Sequence, residues 1–149
     1  MKDNSVRPIV IAFAHDDRRY SDIVLEKLSE DQGLNPEFEI IDLKSAQEVL
    51  NFLETSPAQM PDILFMDGRI RHGGAFTDKE TANDFYSGRK LYRKTRRMYN
   101  QLPICLFTTD YHDFIFLSEW EKRDPNFKLF SVGLDLPDQI LKVLVDFFL

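Results

Sequence analysis

The stretch Pro61-Asp62-Ile63-Leu64-Phe65-Met66-Asp67-Gly68 constrains the fold more than any other part of the chain. Its apolar run is too short for a helix, is opened by a proline, gives way to a glycine-containing loop, and lacks the alternation of a half-wet strand. It reads as a strand buried on both faces, as in parallel sheets covered by helices. Asp67 then ends a central strand. In an open α/β sheet ligands bind at the carboxyl ends of the strands, where loops converge while helices occupy the faces. The competing role for Asp67 is to cap the following turn, which aspartate does well. The segment alone leaves both roles open.

The rest of the chain alternates strand and helix. Ile9-Val10-Ile11-Ala12-Phe13, within Val6 to Ala14, is a second buried run, and it leads into His15-Asp16-Asp17. Tyr20, Ile23, Val24 and Leu28 recur at helical spacing before the helix stop at Gly33, which predicts a helix over 20–32 that covers the sheet. Phe38 to Leu43 alternates and reads as an edge strand. Ser45 then caps a helix carrying Ala46, Val49, Leu50 and Leu53, with Glu48 placed for a capping box. Residues 68–83 hold few apolar residues and the pair Gly73-Gly74, so they read as a long loop with room for a short helical turn. Such a loop is expected to be among the least ordered parts of the domain.

Helical periodicity resumes with Phe85, Gly88, Tyr92, Thr95 and Tyr99, while Arg89, Lys90, Arg93, Lys94, Arg96 and Arg97 mostly form an opposite, solvated face. Pro103 opens a third buried strand, Ile104 to Phe107, closing on Thr108-Thr109-Asp110. A helix is expected from Tyr111 to Lys122, a last strand from Phe127 to Val132 and a last helix from Leu136 to Phe148, with Pro137 tolerated in its first turn. Tyr111, Phe114, Phe116 and Trp120 are too many large rings for one buried stripe, so part of that region is a candidate partner or dimer surface.

At 149 residues the chain suits a single domain. With 43% hydrophobic and 30% charged residues it has the composition of a globular protein, and no apolar run approaches a membrane span. Neither a secretory signal nor a disulfide is expected, because Cys105 is the one cysteine and lies in an apolar run. The cytoplasm is the expected compartment. The net charge of −6 disfavours general binding to nucleic acid.

Five strands alternating with helices imply right-handed crossovers and a doubly wound parallel sheet in a three-layer α/β/α sandwich. The flavodoxin-like order is expected, since no glycine-rich dinucleotide loop follows the first strand. That order gathers Asp16, Asp17, Asp67, Thr108 and Thr109 at one edge. Three carboxylates brought together repel and need a compensating cation, and an all-oxygen cluster suits Mg²⁺. His15, beside two aspartates, reads as a hydrogen-bonded neighbour rather than a metal ligand.

These residues resemble the receiver domains of two-component response regulators over nearly the whole chain. Asp16 and Asp17 resemble the acidic pair, Asp67 the phosphoacceptor, Gly88 to Arg96 the opening of the third helix, and Pro103 to Thr109 the fourth strand with its switch hydroxyl at Thr108. Phe130 matches the switch aromatic. The resemblance implies Mg²⁺ held by Asp16, Asp17, Asp67 and the backbone carbonyl of Arg69. It also implies transfer of a phosphoryl group to Asp67 from a histidine kinase or phosphotransfer protein, followed by protein docking.

Two features depart from that family. Gly133 occupies the position of the fifth-strand lysine, and Lys128 begins the strand, at the opposite edge of the sheet. The loop after Asp67 is also longer than usual; its Arg69 and Arg71 offer cations from another direction. A phosphorylation-independent pseudo-receiver is therefore the alternative reading. A phosphohydrolase with Asp67 as nucleophile ranks third, because such enzymes commonly carry a second aspartate where Arg69 stands.

Overall fold

The computed structural model describes residues 8–15, 22–23, 26, 38–55, 60–84, 86–108, 117–131 and 136–148. Its strands are β1 (Ile9–Ala14), β2 (Phe38–Leu43), β3 (Ile63–Asp67), β4 (Ile104–Thr108) and β5 (Phe127–Ser131). The helices among the described residues with full bounds are α1 (Ala46–Thr55), α2 (Asp78–Thr81), α3 (Ser87–Met98), α4 (Glu119–Arg123) and α5 (Leu136–Phe148). All five strands pair in parallel in the order β2-β1-β3-β4-β5, the flavodoxin-like arrangement.

The pleat sorts the buried strands into two cores. Ala12, Ala14, Leu64, Met66, Ile104 and Leu106 face one way, onto α1 through Val49, Leu50 and Leu53 and onto α3 through Leu91 and Tyr92. Their neighbours Ile11, Phe13, Ile63, Phe65, Cys105 and Phe107 face the other way, onto α5 through Ile140, Val143 and Leu144. Alternate residues feed opposite faces, so both faces are dry and the runs show no polar alternation. Burial also pushes the Cys105 thiol well above its ordinary pKa, which suits a core residue and not a nucleophile. In the expected helix over 20–32, described residues Asp22, Ile23 and Glu26 are helical, but Ile23 is 47% exposed and not a covering residue. The rest of that helix lies outside the described residues.

At α1, the Ser45 hydroxyl accepts from the Glu48 amide at 3.1 Å, as the capping box requires. The reciprocal arm is displaced by one residue: the Glu48 carboxylate accepts from the amide of Lys44, at 2.6 Å.

The segment after Asp67 corrects the expectation of a poorly anchored loop. Ile70 is fully buried, and Ala75 and Phe76 pack against the core. Arg71 forms a parallel bridge with Ser45, and the carbonyls of Arg71 and His72 accept from the amides of Ala46 and Gln47. His72 ties the segment together: Nε2 bonds Asp78 at 2.6 Å, Nδ1 accepts from the Gly74 amide at 3.0 Å, and its own amide donates to Asp84. The Asp78 hydrogen bond raises the imidazole pKa, but the Gly74 N–H occupies the nitrogen that a second proton would need. A capping box of Thr77 and Glu80 then starts α2. One buried isoleucine and a run of backbone bonds do what a longer apolar stripe does elsewhere.

Behind α2, three non-glycine residues in a row have positive φ: Ala82 at 49°, Asn83 at 57° and Asp84 at 73°. Asparagine and aspartate tolerate this region; alanine has no side-chain hydrogen bond to offset the steric cost of about 1–2 kcal/mol. Glycine at 82 loses more freedom on folding, which recovers part of that difference. Ala82→Gly is therefore expected to raise the unfolding free energy by about 0.5–1 kcal/mol, and a urea titration showing a lower midpoint would count against the strain.

The basic face expected on α3 is only partly solvated. Arg89 and Arg96 are buried, whereas Lys94 and Arg97 are exposed. Arg96 donates to Asp124 (2.8 Å) and to the carbonyls of Tyr99, Leu102 and Asn126, while Arg93 pairs with Glu121 at 2.8 Å. Burial works to raise the Glu121 carboxyl, but the Arg93 guanidinium and the Ser118 donors outweigh it and hold the pKa low. Side chains of this length reach past their own helix, so helical periodicity alone misassigned them.

The helix expected from Tyr111 to Lys122 is also corrected. Leu117 and Ser118 are not helical, and Ser118 with Glu121 forms a capping box that starts α4 at Glu119. Trp120 is 49% exposed and stacks on Tyr92, with ring centroids 5.8 Å apart. Tyr111, Phe114 and Phe116 lie outside the described residues. The last strand and helix agree with their expected ranges over the described residues, as β5 (Phe127–Ser131) and α5 (Leu136–Phe148); Val132 lies outside the described residues.

Candidate functional site

The strand order reverses between β1 and β3: from β1 the chain passes to β2 on one side, then returns to place β3 on the other. A crevice opens at the carboxyl ends of two strands whose connections leave in opposite directions. Asp67, the last residue of β3, stands beside it and is only partly buried.

The turn after Asp67 is held at four points. Asp67 Oδ1 accepts from the Arg69 amide at 2.9 Å, and its carbonyl accepts from the Ile70 amide at 3.2 Å. The Gly68 amide donates to Phe107 O at 2.9 Å, continuing the β3–β4 ladder, and Gly68 O accepts from the Gly88 amide at 3.0 Å. Gly88 belongs here for a steric reason. A Cβ on it would stand 2.6 Å from Asp67 O and 2.6 Å from Gly68 Cα, both backbone atoms. The first turn of α3 thus rests directly on the Asp67-Gly68 backbone, and a glycine there is the sequence signal for that approach. Asp67 therefore does contribute to its own turn, as the capping role requires, and it stands at the ligand edge as well.

On the neighbouring strand, Asp67 pairs with Phe107, which puts Thr108 one position further toward the carboxyl edge. Thr108 is 1% exposed. Phe130 pairs with Phe107 and is half-buried against the core beneath α5. Lys128 pairs with Cys105, two positions before the level of Asp67, and its ammonium lies over the Phe147 ring at 5.7 Å. It packs on the α5 side, two positions away from the carboxyl edge that carries Asp67, as its place in the strand implied.

His15, the residue after β1, is buried with Nε2 3.2 Å from Asp42 Oδ1 on β2, and its ring meets Phe13 edge-on at 4.9 Å. Asp42 lies on the adjacent strand, and the His15 amide donates to Leu43 O of that strand at 2.9 Å. Of the metal set expected from the sequence, the structure places Asp67 and Arg69; Asp16, Asp17 and the lysine position at Gly133 lie outside the described residues. Among the described residues no group of three or more His, Cys, Asp or Glu side chains is arranged to hold a metal ion. The donor chemistry at Asp67 fits Mg²⁺, because a partly exposed carboxylate beside a backbone loop offers hard oxygens with access for water. No helix of the described residues is long and apolar enough to cross a membrane.

No protein-family profile matches the sequence, and no curated protein sequence does. Solved structures do. The Mn²⁺-bound form of response regulator Rcp1 superposes with a TM-score of 0.67 at 17% identity, covering 95% of this chain and 95% of that one. The phosphorylated cyanobacterial phytochrome response regulator RcpA gives 0.61 at 13% identity over 93% and 89% of the two chains. A CheY-like receiver domain protein from Methanospirillum hungatei JF-1 gives 0.63 at 13% identity over 94% and 93%. At these identities the likeness is one of architecture, and it agrees with the five-stranded parallel sheet. The chain has the fold of the response-regulator receiver domains.

Proposed function

We propose that this chain is a signalling receiver module that accepts a phosphoryl group on Asp67 in a Mg²⁺-dependent phosphorelay and acts by docking to other proteins. The observation that supports it most is the position of Asp67: a partly exposed carboxylate ending the central strand at the switch point, its turn pinned by Gly88, with the Thr108 hydroxyl one step along the next strand. That two similar structures are a Mn²⁺-bound and a phosphorylated regulator supports the same chemistry.

In this reading an Asp67 oxygen attacks the phosphorus of a phosphohistidine or acyl phosphate, and the donor's nitrogen or carboxylate leaves. Asp16, Asp17, Asp67 and the Arg69 carbonyl would hold Mg²⁺, which when bound offsets negative charge on the nucleophile and the incoming group. Thr108 then donates to a phosphoryl oxygen, and Phe130 moves into the space the threonine leaves. The donor is a histidine kinase or phosphotransfer protein. Docking uses the region from Tyr111 to Trp120, of which Trp120 is half exposed. A cytoplasmic setting and a signalling role rather than an enzymatic one belong to this reading.

Gly133 favours a second reading, a pseudo-receiver that keeps the fold as an interaction module without phosphorylation. A missing preorganised cation costs roughly 10²–10³ in rate. Incubation with acetyl phosphate and Mg²⁺ is expected to add one phosphoryl group slowly by intact mass. Asp67→Asn abolishes it, and Gly133→Lys raises the yield. If neither the native chain nor Gly133→Lys gains that mass, the pseudo-receiver reading replaces this one.

A further inference from the structure

The segment between Asp67 and α2 holds a titratable ring that the Asp67 site does not use. His72 is partly buried and bonded at both ring nitrogens: Nε2 stands 2.6 Å from Asp78 Oδ1, and Nδ1 accepts from the Gly74 amide at 3.0 Å. The Gly74 N–H can only donate and the Asp78 carboxylate can only accept, so the pattern is complete for neutral imidazole with its proton on Nε2 and for no other form. We propose that His72 is a proton-operated latch, which when neutral holds the Gly73-Gly74 turn closed and when protonated keeps Asp78 and releases Gly74.

Two opposed effects set the latch. A second ring proton would put one N–H against another, two donors 3.0 Å apart with no acceptor between them, so the Gly74 bond is lost. The carboxylates favour the added charge: Asp78 is in contact, and Asp84 Oδ1 is 3.9 Å from Nε2. Among the described residues these are the charged groups acting on the ring, from α2 and from the turn before α3, while on the α1 side the segment meets the neutral Ser45 and Gln47. The Asp78 hydrogen bond, with the charges of Asp84 and Asp78, raises the imidazole pKa against burial, which brings proton uptake toward neutral pH. The part released is small. Gly73 and Gly74 have φ of 62° and 96°, a region glycine enters and leaves freely, and a Cβ on Gly74 would meet nothing within 4 Å, so packing does little to hold that residue. The rest of the segment is fixed independently: the His72 amide donates to Asp84, and the Gln47 and Ala75 amides donate to the His72 carbonyl. Protonation therefore loosens the turn and leaves the strap to α1 fastened, whether or not Asp67 accepts a phosphoryl group.

The test follows two NMR signals of the full chain from about pH 8 to about pH 5: the ring ¹⁵N shifts of His72, and the protection of the Gly74 amide against solvent exchange relative to its intrinsic rate at each pH. At the alkaline end the ring is expected to be the Nε2–H tautomer. As it gains its second proton, Gly74 protection is expected to fall about tenfold with the same midpoint, while the Gln47 and Ala75 amides keep theirs. His72→Asn offers an amide oxygen near the place of Nδ1 and does not titrate, so its Gly74 protection is expected to be independent of pH. A ring protonated on Nδ1 at the alkaline end, Gly74 protection that stays level through the His72 titration, or a fall that persists in His72→Asn would each overturn the latch.

Discussion

Arg96→Met is expected to lower the unfolding free energy by about 3–5 kcal/mol, because it removes one partner of a buried ion pair and leaves the other. Arg96 and Asp124 are each about 9% exposed along their side chains. The guanidinium bridges Asp124 and three backbone carbonyls, from Tyr99, Leu102 and Asn126, and so joins the end of α3 to the segments entering β4 and β5. Methionine keeps much of the volume and none of the donors. Asp124 would retain the Tyr92 hydroxyl at 2.6 Å, which limits the loss but does not compensate the charge. Against a total stability of order 5–15 kcal/mol the variant loses a large part of its margin. Urea unfolding followed by circular dichroism reads this as a fall in midpoint; a change under about 1 kcal/mol would mean the network is neutral. Because the residues share one network, Arg96→Met and Asp124→Asn should be strongly non-additive.

Gly88→Ala is expected to destabilise by about 1–3 kcal/mol and, under the proposed function, to reduce phosphoryl transfer to Asp67. Two effects of opposite sign compete. Alanine favours helix over glycine by up to about 1 kcal/mol in an interior position, and by less in the first turn, where Gly88 stands. At this position its methyl would lie 2.6 Å from the Asp67 carbonyl oxygen and 2.9 Å from the Gly68 carbonyl carbon, where no side chain can turn away. The helix must retreat, and the Gly88 N–H to Gly68 O bond lengthens with it. The clash therefore wins. A paired measurement of urea midpoint and acetyl phosphate labelling checks both consequences; a gain in stability at this site would refute the close approach.

Buried strands were legible in the chain because a parallel sheet covered on both faces demands short apolar runs without alternation, and Ile9–Ala14, Ile63–Asp67 and Ile104–Thr108 satisfy that demand. The strand order followed from the absence of a glycine-rich dinucleotide loop after the first strand, and the edge reached by Asp67 and Thr108, away from Lys128, from strand direction. The arginines of α3 were not legible in the same way. A period of 3.6 residues reports which side of a helix a residue leaves from, but not where a seven-atom side chain ends, and Arg96 ends among carbonyls of other segments. The anchoring of the loop after Asp67 was missed for a related reason: it rests partly on backbone bonds to Ala46 and Gln47, and backbone groups carry no sequence signature. Local pattern thus determined the sheet, its order and the strand end that carries Asp67. Only the tertiary structure decided that Gly88 closes on that strand end, that Arg96 is a structural cation, and that His72 meets Gly74, Asp78 and Asp84 at once, because each depends on distances between residues far apart along the chain or on neighbours brought in by another element.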